Sequence, residues 1–165
     1  MNSLKTAYIS LGSNLGDRLQ YLLDARQRIE KNIGKIHRQS KIYQTAAWGH
    51  TNQPAFYNQV LEVQTTFTPL QLLENCLSIE KEMGRTRGIL WGERTIDIDI
   101  LLYDGRSVQT AELKIPHPYL HLRNFVLVPI CEIAPELIHP TMELTMQQLL
   151  ERCADELETK VLEEQ

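Results

Sequence analysis

Two aspartates one residue apart, Asp97 and Asp99 in Thr95-Ile-Asp-Ile-Asp-Ile-Leu-Leu-Tyr103, carry the strongest chemical signal in the chain. Ile96, Ile98, Ile100 and Leu102 recur at period two, which predicts a strand with Thr95, Asp97 and Asp99 on its opposite face. Same-face neighbours lie roughly 7 Å apart, where two carboxylates repel by about 2 kcal/mol at an effective dielectric near 20. A cation between them would relieve that repulsion. Immediately upstream, Gly84-Arg-Thr-Arg-Gly-Ile-Leu-Trp-Gly-Glu-Arg94 supplies Arg85, Arg87 and Arg94 with Gly84, Gly88 and Gly92. Guanidinium forks match phosphate oxygens and hard carboxylate oxygens suit Mg²⁺, so the stretch reads as a site for a metal-bound polyphosphate. The competing reading is an exposed strand face kept soluble by its acids, with Trp91 packing the loop.

Two further groups stand out. Glu80 falls on the apolar stripe Leu73, Cys76, Leu77 and Met83 of a predicted helix, near a C-terminal end whose dipole disfavours an anion. It is either a half-exposed snorkelling side chain or an acceptor for ligand donors. His117 sits in Ile115-Pro-His-Pro118, where each proline fixes its own φ and restricts the residue before it, so the imidazole is held for packing or for hydrogen bonding. Cys76, Cys131 and Cys153 form neither a Cys-x-x-Cys pair nor a metal-ligand pattern with histidine, and read as reduced thiols.

The elements that must position these groups follow from period and punctuation. Ala7–Leu11 is a short strand, closed by a turn at Gly12-Ser-Asn-Leu-Gly16. Asp17 and Gln20 then open a helix with Leu19, Leu22, Leu23, Arg26, Ile29 and Ile33 on one face and Gly34 at its end. Lys35–Gln44 reads as a second strand, followed by a loop of about ten residues to Pro54. A long strand over residues 57–67 has its better apolar face at Tyr57, Leu61, Val63 and Phe67. Thr68-Pro69 with Gln71 caps the Glu80 helix. Beyond Tyr103, Asp104-Gly105 predicts a hairpin with Arg106–Val108 returning antiparallel. Phe125–Cys131 predicts a short buried helix ending before Ala134-Pro135, Thr145 with Gln148 opens a last helix, and the acidic stretch 156–165 is expected to fray.

Through Tyr103 the order is strand, helix, strand, strand, helix, strand, an α+β ferredoxin-like βαββαβ core, extended by the hairpin and C-terminal helices. At 165 residues and 42% hydrophobic content, residues 1–165 are expected to form one domain. A formal charge of -4 argues against a nucleic-acid surface, and neither a signal-like h-region nor a membrane-length apolar run is seen, so a cytoplasmic location is expected.

Taken together, Gly12-Ser-Asn-Leu-Gly16, Gln53-Pro-Ala-Phe-Tyr-Asn58, Gly84-Arg-Thr-Arg87, Trp91-Gly-Glu-Arg-Thr-Ile-Asp-Ile-Asp-Ile100, Pro116-His-Pro118 and Arg123-Asn-Phe125 resemble the 6-hydroxymethyl-7,8-dihydropterin pyrophosphokinases over nearly the whole chain. The resemblance implies a monomeric ferredoxin-like enzyme of folate biosynthesis that moves the pyrophosphoryl group of ATP onto the pterin hydroxymethyl oxygen and releases AMP. It implies that Asp97 and Asp99 hold two Mg²⁺ ions and that Arg85 and Arg94 are catalytic. Glu80, Arg87, Trp91, Ile100, His117 and Arg123 match the ATP side; Thr45, Ala46, Trp48, Phe56, Asn58 and Phe125 match the pterin side. The implied partners are ATP and a reduced pterin, with no nucleic acid and no membrane. Thr45-Ala-Ala-Trp48 stands where many members carry prolines and a leucine, Ala55 and Glu93 replace a common acid and a common proline, and Tyr119 replaces a frequent basic residue. Two rival readings share the fold: a nucleotide-binding domain without catalysis, and a single-stranded RNA module, whose aromatic strand signature is absent.

Overall fold

The computed structural model describes residues 3–46, 54–84 and 95–162. Its main sheet is built from β1 (Lys5–Ser13), β2 (Lys35–Gln39), β3 (Tyr43–Thr45), β4 (Phe56–Thr65), β5 (Asp97–Tyr103) and a C-terminal β8 (Thr159–Val161). The strand order is β5-β1-β4-β3-β8, with β2 pairing β4 beyond β3. Helices α1 (Arg18–Asn32) and α2 (Pro69–Glu82) cover one face; α3 (Asn124–Ile133) and α4 (Met146–Arg152) cover part of the other. This is the expected ferredoxin-like arrangement, with its second strand broken in two. Among the described residues no helix is long and apolar enough to cross a membrane.

The break in the second strand has a local cause. Ser40 donates its N–H to the Val60 carbonyl at 2.9 Å, and its Oγ accepts from the Val60 N–H at 3.0 Å, so a side chain replaces one rung of the ladder between β2 and β3. Strand β4 is buried on both faces, where sequence alternation favoured one, because Leu61 and Val63 meet the α1/α2 layer while Val60 meets α3. On α1 the buried stripe is Leu22, Ala25 and Ile29; Leu19 and Leu23 are exposed, and Arg26 donates to Gln59 Oε1 at 2.6 Å. On α2 the stripe runs through Leu72, Cys76, Ile79 and Glu80, one position round from the expected one. The capping boxes at Thr68 and Thr145 form as expected, whereas at Asp17 only half of one does, since Gln20 N–H donates to the Asp17 side chain but the Gln20 side chain donates to Asp24; α3 ends at Ile133, before Ala134-Pro135 as expected. Gly34 is required by close approach, since a Cβ there would lie 2.0 Å from the Gln64 carbonyl oxygen.

Strand β5 departs from strict alternation. Ile100 pairs with Ile9 but Leu102 pairs with Tyr8, which leaves Leu101 as an extra residue in a β-bulge. Ile96, Ile98, Ile100 and Tyr103 therefore pack in the α1/α2 layer, and Leu101 and Leu102 pack with α3. Leu102 is not on the face that its period predicted. The Asp104-Gly105 turn forms, with φ values of 51° and 64°, yet Arg106–Val108 does not return along β5. Instead β6 (Val108–Gln109) pairs with β7 (Lys114–Ile115). The outer edge of β5 is taken up by the Glu80 carboxylate at Ile98 N–H and by the His117 N–H, which donates to Leu101 O at 2.9 Å. The acidic stretch also departs from expectation: β8 pairs with β3 in the register Thr159↔Thr45, Lys160↔Gln44 and Val161↔Tyr43.

Candidate active site

Alternation along β1 puts Tyr8, Ser10 and Gly12 on the α3 side of the sheet, opposite Ala7, Ile9 and Leu11. Cross-strand register then forms two rows on that side: Tyr43, Asn58, Gly12 and Asp97 in one, and Val60, Ser10 and Asp99 in the next. Thr45 pairs with Phe56 one step further toward the open end. Asp97, Asp99, Asn58, Phe56 and Thr45 are therefore neighbours on one surface, with Asn58 and Asp97 about 10 Å apart across one intervening strand. Asp97 is half-buried and Asp99 exposed. The rest of this face is closed off by α3, whose first turn brings Phe125 beside it, half-buried against the second core.

The sequence pattern predicts a turn at Gly12; it lies within β1, and its missing side chain matters at the site. A Cβ there would stand 3.0 Å from Asn58 Nδ2 and 3.6 Å from Phe56 Cδ1, so the amide and the ring crowd over bare backbone. Asn58 is 3% exposed, and among the described residues its Oδ1 has no hydrogen-bond partner. A buried acceptor left unpaired costs about 1 to 3 kcal/mol, which a ligand donor would recover. Thr45 is buried and Ala46 is exposed beside it.

Around the outer edge of β5 lies an open cleft of about 400 Å³, lined by Leu73, Leu77 and Glu80 of α2, by Ile98, Asp99 and Ile100, by residues 111–114 and by His117 and Pro118. Glu80, Ile100 and His117 thus meet here, with Asp99 at the rim joining the cleft to the α3-side surface. Leu77, expected in the core, is 38% exposed and serves as cleft wall. Glu80 is 4% exposed, and its Oε2 accepts from Ile98 N–H at 2.7 Å, between the two aspartates. The misfit carboxylate therefore anchors backbone: it satisfies a donor that has no strand partner among the described residues.

Arg123 stacks over Tyr119 at 4.8 Å and Phe125 at 5.3 Å. Burial lowers its pKa, while Asp99, Tyr119, Asp155 and Asp97 act in the opposite direction, so it stands in the field of both aspartates. His117 is held near 4 by burial and then by Arg123, and is neutral at neutral pH. Its Nδ1 accepts from Tyr119 N–H at 3.1 Å, which leaves the ring proton on Nε2 as a donor. Because the folded pKa lies below the ordinary 6.5, the unfolded chain takes up this proton first as pH falls. His117 therefore removes stability progressively from about pH 6.5 down to about 4. We expect urea midpoints of the parent to fall between pH 7 and pH 5 more steeply than those of His117→Gln; parallel slopes would show that the imidazole is not held neutral.

Among the described residues no three His, Cys, Asp or Glu side chains converge as a closed metal cage. Two neighbouring carboxylates without a third protein ligand are nonetheless what Mg²⁺ uses when phosphate oxygens and water complete its shell, so the donor set fits a nucleotide-bound cation. The same aspartates would repel bare phosphate, which disfavours an RNA-binding sheet face. Arg85, Arg87, Trp91, Arg94 and Trp48 lie outside the described residues.

The family model of 7,8-dihydro-6-hydroxymethylpterin-pyrophosphokinase (HPPK) matches residues 8–135. A 2-amino-4-hydroxy-6-hydroxymethyldihydropteridine pyrophosphokinase of Aquifex aeolicus is 44% identical over 137 residues, covering 83% of this chain and 85% of the relative. The folic acid synthesis protein fol1 of Pneumocystis carinii is 40% identical over 151 residues, 92% of this chain but 20% of that longer protein. In fold, the crystal structure of Plasmodium falciparum HPPK-DHPS with pteroate superposes with a TM-score of 0.75 at 19% identity, covering 92% of this chain and 43% of that one. The chain belongs to the 7,8-dihydro-6-hydroxymethylpterin-pyrophosphokinase family.

Proposed function

We propose that the sheet face bearing Asp97, Asp99, Asn58 and Phe56, together with the cleft beside it, is where this chain transfers pyrophosphate from ATP to the hydroxymethyl group of 6-hydroxymethyl-7,8-dihydropterin, a step of folate biosynthesis. The observation that carries the reading is the Asn58, Gly12, Asp97 row, which puts a buried amide oxygen, without a hydrogen-bond partner among the described residues, one strand away from an acidic pair on the same surface. Phosphoryl transfer needs positioning and charge neutralisation more than a protein nucleophile, and the substrate alcohol itself attacks the β-phosphorus. Asp97 and Asp99 would hold two Mg²⁺ ions; when bound, these supply charge neutralisation at the ATP phosphate oxygens. The cleft takes the nucleotide, with Ile98, Ile100, Leu73 and Leu77 as apolar walls and His117 offering an uncharged donor. Arg123 adds a positive charge beside the aspartates, and Arg85 and Arg94, with Arg87, serve the transferring group by their match to the family motif.

The pterin ring lies between Phe56 and Phe125, with its polar edge on Asn58 and on the backbone near Thr45 and Ala46. Flat heteroaromatic rings stack on such side chains with about 1 to 2 kcal/mol each. Phe56→Ala and Phe125→Ala should therefore weaken pterin binding by that amount, measured by calorimetry, while a non-hydrolysable ATP analogue binds as before. Equal damage to both ligands would make the rings ordinary core residues. The activity itself is tested by incubating the protein with ATP, Mg²⁺ and the reduced pterin and quantifying AMP against pterin pyrophosphate. Equal amounts are expected; ATP binding without AMP would leave a nucleotide-binding domain.

A further inference from the structure

Beyond residue 135, where the family match ends, the chain returns to both walls of the proposed pterin pocket. On one wall, Asp155 accepts from the Asn124 N–H through Oδ2 at 2.9 Å, and its backbone carbonyl accepts from Asn124 Nδ2 at 3.0 Å. Asn124 is the first residue of α3 and stands between Arg123 and Phe125. The other carboxylate oxygen of Asp155 accepts from Leu157 N–H at 2.9 Å, so both oxygens are engaged and the segment turns back toward β8. On the opposite wall, β8 pairs Thr159 with Thr45, and their hydroxyls lie 3.3 Å apart.

At the far end of α3 a separate tie already exists. Glu132 accepts from the Tyr43 hydroxyl at 2.6 Å and from the Lys41 N–H at 3.1 Å, which joins α3 to the β3 side about 12 Å along the helix from Asn124. The contacts from residues 155–159 are therefore made at the mouth of the pocket, where Phe125 and Thr45 stand, in addition to the join that keeps helix and strand together.

We infer that residues 155–159 act as a strap that sets the width of the pterin pocket, with Asp155 and Thr159 as positioning residues for Phe125 and Thr45. The inference rests on the assignment of those two residues to the pterin. Losing the carboxylate would release the first N–H of α3, a change comparable to loss of a helix cap, and let the first turn carrying Phe125 drift from the sheet.

The test uses full-length Asp155→Ala, Asp155→Asn and Thr159→Val, titrated with the reduced pterin in the presence of Mg²⁺ and a non-hydrolysable ATP analogue, with thermal melting in parallel. Asp155→Ala should raise the pterin Kd about fivefold, Asp155→Asn less because it keeps one acceptor, and Thr159→Val two- to threefold, roughly, with the analogue's Kd shifting less in each case. A lowered Tm with the pterin Kd unchanged, or an equal rise for both ligands, would overturn the strap. If Asp155→Ala does not fold, Asp155→Asn and Thr159→Val decide by the same criterion. Phe125→Ala is the reference: if it too leaves pterin affinity unchanged, the pocket assignment has failed and the strap falls with it. If it weakens pterin binding while the folded strap variants do not, only the strap is overturned.

Discussion

Asp97→Asn and Asp99→Asn should each lower pyrophosphoryl transfer by about a thousandfold or more while leaving the ligand-free protein folded. Asparagine keeps the volume and the strand but removes a hard anionic ligand, and charge neutralisation by a bound cation contributes several kcal/mol to such a transition state. Excess Mg²⁺ should recover at most part of the rate. Stability moves the other way. Relief of repulsion between the half-buried Asp97 and the exposed Asp99 favours the variants by at most about 1 kcal/mol. The gain should be smaller for Asp99→Asn, since Asp99 is the stronger electrostatic partner of Arg123. Rapid-quench assays of AMP formation and melting curves of the same preparations check both halves. A variant that keeps the parent rate would remove the acidic pair from the mechanism.

Glu80→Ala should destabilise the protein by about 2 to 3 kcal/mol, because the Ile98 N–H loses a charged acceptor at 2.7 Å. Glu80→Gln retains an oxygen in that place and should recover most of the stability. Ile98 lies between the aspartates, so the alanine variant should also weaken ATP binding, as β5 loses the side chain that holds its edge. Urea titration with calorimetric ATP binding tests this; an alanine variant as stable as the parent would show that water replaces the carboxylate without cost.

The elements of the core were legible because each carried its own punctuation: Thr68-Pro69 with Gln71, Thr145 with Gln148, and Asp104-Gly105 all act within a few residues. Asp97 and Asp99 were legible for the same reason, since two residues of alternation put them on one face whatever the rest of the chain does. What escaped depends on distant partners. The Leu101 bulge is set by pairing with Tyr8 and Ile9, residues some ninety positions away, and nothing within β5 announces it. The pattern marks Glu80 as misplaced, but the Ile98 N–H that it accepts from is a backbone group without a sequence signature. Gly12 looked like punctuation because glycine has two uses, and only the proximity of Asn58 and Phe56 tells them apart. The pairing of β8 is hidden by the acidic composition of its stretch, which says nothing of the register that seats Thr159 on Thr45.

The pairing of β8 with β3 also bears on how the protein behaves in crowded solution. A long bare strand edge is a template on which a second chain can extend the sheet, the first step of many aggregates. Here β8 covers β3 and leaves a rim of only three residues, with Lys160 at its centre. Strand β2 is edged by exposed Lys35 and Arg38, and the rim of β5 already has its outward groups engaged by Glu80 and His117. Among the described residues the sheet therefore ends on every side in something short, charged or already hydrogen-bonded, which disfavours edge-to-edge aggregation.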